Sequence, residues 1–177
     1  MKGALRHRPS AHKCGLFRTT KPLPEHESTV GAGLLVYFHN HSLAGGESEL
    51  PCVVLPDHNV FNRWHFHGAG TSFHSLAWAD SLVRLPREGF YSLRKQLDFD
   101  AGDGAGSWPK GTLVQLGYTR TGDPILFIAQ QRASLEENDL LFSDRGVGIP
   151  HGKLAALEPI NVFEEPPPEG GHGTGQH

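Results

Sequence analysis

The chain has 177 residues, 37% of them hydrophobic, with 22 glycines, 13 prolines and a formal net charge of −3. That length supports one ordinary domain or two minimal ones with a real core, and the near-neutral charge excludes a protein-wide attraction to nucleic acid or anionic membrane. No stretch reaches the ~18 apolar residues of a membrane span, no secretory apolar run opens the chain, and Cys14 and Cys52 alone make no disulfide framework or zinc–thiolate site, so a cytoplasmic protein with no membrane partner is expected.

Residues 1–28 read as a disordered basic tail. Lys2, Arg6, Arg8, Lys13, Arg18 and Lys21 precede the first acid, Glu25, and Pro9, Pro22 and Pro24 interrupt any periodicity. This arm is where any weak, salt-sensitive nucleic-acid binding would reside. Residues 29–97 are expected to form a first small β-barrel. Its strands are Leu34–Phe38, Pro51–Leu55, Val60–His67, Phe73–Trp78 and Leu82–Leu85, short apolar runs split by turn residues. Glu88–Leu97 carries Phe90, Leu93 and Leu97 at helical spacing, which predicts a helix, while the alternation of Phe90 against Tyr91 leaves a strand open. Residues 98–108 are rich in Asp and Gly, with little apolar mass, and read as a linker or a long surface loop.

A second small β-barrel is expected over residues 109–163. Its strands are Leu113–Tyr118, Pro124–Ala129, Asp139–Phe142, Val147–Ile149 and Ile160–Phe163, with one helical turn at Ser134–Glu137. Residues 164–177 form a disordered Pro/Gly tail, whose Pro166-Pro167-Pro168 favours polyproline II and offers itself as a ligand for an aromatic groove.

The two halves echo each other. Gly33-Leu34-Leu35-Val36-Tyr37-Phe38 matches Gly111-Thr112-Leu113-Val114-Gln115-Leu116, and Leu76–Pro86 matches Leu140–Pro150 in the same order. The first copy holds about 14 more residues between its matched segments. Asp80 and Asp144 fall at equivalent places, which suggests a turn or cap duty.

The run Val147-Gly148-Ile149-Pro150-His151-Gly152-Lys153-Leu154, followed by Leu157-Glu158-Pro159-Ile160, resembles the end of a Src-homology-3-like barrel, where a strand closes on proline, a 3₁₀ turn follows and a final strand returns. In that likeness Gly111–Tyr118 resembles the first strand and Pro124–Ala129 the second. The resemblance implies an all-β fold of two tandem barrels and a binding module, an adaptor for a protein partner, rather than a catalyst. The loop Thr119–Asp123 that would border a peptide groove is short and holds one base and one acid. Arg63, Trp64, Trp78, Tyr91, Trp108 and Tyr118 are the residues expected to bind, since arginine and aromatics dominate interface hot spots. Burial in the core is the competing fate for the aromatics.

Histidine is the other constellation. His39, His41, His58, His65, His67 and His74 lie within 36 residues, and two of the pairs are His-x-His, whose rings share one face of a strand. Neighbouring strands would bring three or four imidazoles together for zinc, iron or copper. His65-Phe66-His67 resembles the first metal-binding motif of cupins, without the glutamate that follows in that family. The likeness implies a metal-dependent enzyme using His65, His67 and His74, with His39 or His41; on the adaptor reading there is no cofactor. No catalytic residue is assigned. The chain has no Gly-x-Ser-x-Gly elbow, and Gly31-Ala32-Gly33 leads into a strand rather than a helix N-terminus.

Overall fold

Short strands separated by turn residues do pair into sheets. The structure, a computed structural model, describes residues 12–41, 50–101, 104–131 and 140–161. In the first half the chain forms β1 (Gly15–Arg18), β2 (Leu35–His39) and β3 (Cys52–Val54). A hairpin follows, β4 (His58–Val60) and β5 (Arg63–His65), and then β6 (Thr71–Ser72), the single helical turn α1 (Leu76–Ala79) and β7 (Val83–Arg84). The second half forms β8 (Gly89–Leu93), β9 (Leu97–Ala101), β10 (Gly104–Trp108), β11 (Leu113–Tyr118), β12 (Pro124–Gln131), β13 (Leu140–Phe142) and β14 (Val147–Gly148). A 3₁₀ helix, His151–Ala156, then leads into β15 (Leu157–Pro159).

The protein is all-β, with antiparallel pairing throughout the described ladders. One sheet has the order β6-β3-β2-β1-β7 and the other β13-β12-β11-β8-β15, with β14 also on β12. Among the described residues neither ladder closes on itself. The two orders correspond: in each sheet the strand after a helical turn pairs with the first strand, which pairs with the second.

Several boundaries differ from the sequence expectation. β1 lies inside the stretch read as a tail, because Leu16 and Phe17 are both buried and outweigh the flanking basic residues. Glu88–Leu97 is not a helix: Tyr91 and Leu93 point inward and Phe90 outward, a period of two, and β8 pairs with β11 of the second sheet. The described residues of 98–108 lie in β9 and β10. The alternation of Leu97 and Phe99 with Asp98 and Asp100 makes a strand, and Phe99 packs on Trp108 at 4.4 Å across the β9–β10 hairpin. Gly106 leaves room for the Phe99 ring, which a Cβ would approach to 2.6 Å and push aside.

Phe73–Trp78 is not a strand, because the Ser75 hydroxyl accepts from Trp78 N–H and caps α1. Val60–His67 is a hairpin rather than one strand. The second repeat match therefore fails: Leu76–Ala79 is helical where Leu140–Phe142 is a strand, and Asp80 caps a helix where Asp144 sits in a bend. The closing strand is β15, earlier than Ile160–Phe163, whose last two residues lie outside the described ones, as do Ser134–Glu137 and the proline run.

Two apolar clusters hold the fold. Phe17, Val36, Phe38, Val53, Phe73, Trp78 and Leu82 pack inside the first half. Tyr91, Leu93, Leu97, Val114, Leu116, Leu126 and Leu157 pack in the second, and Leu16, Leu35 and Leu85 of the first half join them. The first sheet is thus buried on both faces, which is why Leu34–Phe38 reads as a continuous apolar run rather than an alternating one. The β11–β12 turn completes the junction. Leu35 N–H donates to Arg120 O at 2.9 Å, and Arg18 Nε donates to Thr121 O at 2.8 Å.

Candidate functional site

The additional residues of the first half, between β3 and β6, form the β4–β5 hairpin, which pairs His58 with His65, Asn59 with Trp64 and Val60 with Arg63. Its two turn residues, Phe61 and Asn62, have φ of 50° and 63°, as a two-residue turn matched to strand twist requires. Asparagine tolerates this region, whereas a left-handed phenylalanine costs about 1–2 kcal/mol. The tip is held from the second half. Gln115, a buried amide on β11, donates to Phe61 O at 2.6 Å and accepts from Asn62 Nδ2 at 3.2 Å. Asn62 O also lies where a Cβ on Gly117 would be 2.6 Å away, so the close approach depends on that glycine.

The hairpin's stem is fixed equally firmly. Trp64 Nε1 donates to Tyr118 O at 2.7 Å, Trp64 N–H donates to Glu88 Oε2 at 2.9 Å, and the Arg120 guanidinium sits 4.8 Å over the Trp64 ring. Arg120 also donates to the carbonyls of Pro56 and Asp57.

Beneath the hairpin lies a groove of about 680 Å³, lined by aromatics from both halves: Tyr37, Phe61, Trp64, Phe66 and Phe90. Arg63, His39, His65 and His67 supply its polar wall. Phe61 is 88% exposed at its edge.

Glu88 adjoins Trp64, Arg63 and Phe66 in a smaller neighbouring cavity. Its Oε1 is buried with no hydrogen-bond partner. Burial pushes its carboxyl up to about 7, against the partial relief of the Trp64 and Tyr118 backbone N–H groups and the Arg63 charge.

The structure brings histidines together in two places. His58, His65 and His67 each offer a ligand nitrogen within 4.8 Å of the others, and Cys14, His39 and His41 do the same at a second point. In the first trio the rings are nearly parallel, with centroids 4.7, 5.3 and 5.7 Å apart. His58 Nδ1 is 3.0 Å from Asp57 Oδ2, the main reason that the Asp57 carboxyl lies below its usual range. In the second, Asn40 Oδ1 is 3.2 Å from Cys14 Sγ and 3.0 Å from His41 Nδ1. Burial, helped by the His41 charge, lowers the pKa of His39.

His65 and His67 lie side by side, and their third neighbour is His58. His74 lines a different cavity with Leu23, His26 and Phe73, and His39 and His41 gather with Cys14. The signal for His58 was cross-strand pairing, invisible while Val60–His67 was read as one strand; Cys14 was hidden in the presumed tail. Of the residues expected to bind, Arg63 and Trp64 line the groove. Trp78, Tyr91 and Tyr118 are core residues, at 4%, 7% and 3% exposure, and Trp108 is half-buried against Phe99. The indole of Trp78 and the hydroxyls of Tyr91 and Tyr118 are spent on backbone carbonyls, which is how aromatic polar ends are buried. No known protein family, curated protein or solved structure matches this chain.

Proposed function

We propose that the chain is a tandem of two Src-homology-3-like units acting as a non-enzymatic binding module for an extended segment of a protein partner. The corresponding strand orders support the likeness, with one revision: β8 takes the place of the first strand and β11 the second, because β15 returns to β8 after the 3₁₀ helix. The short Thr119–Asp123 turn faces the first unit, bonded to Leu35 and Arg18. The ligand site of this reading is instead the aromatic groove under the β4–β5 hairpin.

Phe61 carries the reading. A turn that needed only to reverse the chain would be served by glycine or asparagine, whereas here a phenylalanine is held in a costly conformation by Gln115 and left exposed at the groove's edge. Aromatic anchors beside Arg63 suit a peptide with apolar side chains interspersed with acidic ones. Panning a random peptide library against the full chain should enrich acidic–apolar sequences. Their affinity should fall at least tenfold in Phe61→Ser and Arg63→Ala variants that unfold as cooperatively as wild type. Failure to enrich, or enrichment indifferent to both substitutions, removes the proposal.

The convergence of His65 and His67 favours a second reading, a metal-dependent cupin-like enzyme. It requires an activity abolished by chelator and restored by metal.

A further inference from the structure

We propose that the β4–β5 hairpin binds one divalent transition-metal ion, Zn²⁺ foremost, through one ring nitrogen each of His58, His65 and His67, with Asp57 as a positioning residue. The site shares His65 and His67 with the wall of the groove, and metal binding there does not require the peptide-binding reading to hold.

The hairpin makes the site by register. His58 and His65 are directly opposed across the ladder, and His67 lies two residues beyond His65. Three imidazoles bound to one ion through nitrogens at about 2.1 Å place their ring centroids roughly 5–6 Å apart. The observed centroid separations of 4.7, 5.3 and 5.7 Å fall in that range, while the rings lie nearly parallel and the ligand nitrogens within 4.8 Å of one another, so binding requires the three exposed side chains to turn and draw their nitrogens together around the ion.

Asp57 adds an observation separate from the cluster. Its Oδ2 accepts from His58 Nδ1, which fixes the tautomer and leaves Nε2 as the lone-pair nitrogen for the metal, the carboxylate–histidine–metal pattern. Asp57 is itself held in place: its N–H donates to His65 O at 2.9 Å, and its carbonyl accepts from Arg120. Trp64, between the paired strands' histidines, is pinned to Tyr118 and Glu88. The ligands thus stand on an anchored element, as a preorganised site requires.

The donor set selects the ion. Three neutral imidazoles without thiolate suit zinc, copper or nickel over calcium and magnesium, which take oxygen ligands. Three protein ligands leave a fourth position for water or an incoming group. Since His65 and His67 also line the groove, a ligand there with a carboxylate or imidazole would have access to the ion.

The test is a Zn²⁺ titration of untagged, chelator-stripped full-length protein against a competing chromophoric chelator, with Co²⁺ substitution as the spectroscopic readout. One equivalent should bind at micromolar or tighter affinity, with a cobalt spectrum lacking a thiolate charge-transfer band. His65→Ala with His67→Ala should weaken binding at least 100-fold at unchanged circular dichroism, and Asp57→Asn by 10–100-fold. Cys14→Ser should leave binding unchanged. No binding at micromolar zinc, binding that survives the double substitution, or a thiolate band abolished by Cys14→Ser would overturn the proposal. Unchanged affinity in Asp57→Asn would overturn the role given to Asp57.

Discussion

Replacing Glu88 by glutamine should stabilise the protein at alkaline pH and hardly at all near pH 5. The carboxyl sits against Trp64 and Arg63 with Oε1 buried and unpartnered, and burial raises it from 4.5 to about 7. A carboxyl raised on folding binds its proton more tightly in the native state. Its contribution is therefore fully present below the unfolded value and is lost as pH climbs through the folded one. The shift corresponds to roughly 3 kcal/mol at pH 8 and less than about 1 kcal/mol at pH 5. Glutamine keeps an acceptor for the Trp64 N–H and never ionises. Urea unfolding of both proteins across pH 5–8 isolates the effect, because the histidines titrate in each and cancel in the difference. The advantage of the variant should grow with pH by about 2–3 kcal/mol. A difference that stays flat across that range would refute the claim that an ionised Glu88 is poorly accommodated.

Gly117→Ala should cost about 1–3 kcal/mol and displace the hairpin tip, because its Cβ would meet Asn62 O at 2.6 Å, whereas Gly148→Ala, with open space around it, should be nearly silent in thermal melts. Leu35→Ala should cost about 2–5 kcal/mol, and hydrogen exchange should speed up in both halves, since this β2 residue is fully buried in the second half's cluster. Acceleration confined to residues before Glu88 would refute that coupling.

Much of the architecture was legible locally. Leu113–Tyr118 and Pro124–Ala129 were found as strands because apolar β-formers stood between Gly and Pro punctuation, and pairing only lengthened the second. The two-residue period of a strand put His65 and His67 on one side in the sequence, and in the structure His67 lies just past the end of β5 yet stays beside His65. Elements whose signal was mixed went astray. In Glu88–Leu97, three apolar residues satisfied a helical spacing and a strand alternation at once, and the partner strand β11 decided between them. Gly15–Arg18 is too short and too close to basic residues to declare itself; its burial comes from β2 and β7 on either side.

The sequence by itself determined the all-β character and the unusual supply of histidine, because these are properties of composition and local periodicity. Only the tertiary structure decided that the first sheet is buried on both faces, that most of the expected binding aromatics are core, and that His58 rather than His74 joins His65 and His67. Each of those depends on which residues distant in the chain become neighbours. That is set by sheet register and by the Gln115, Trp64 and Arg120 clamps that fold one long insertion back over the second half.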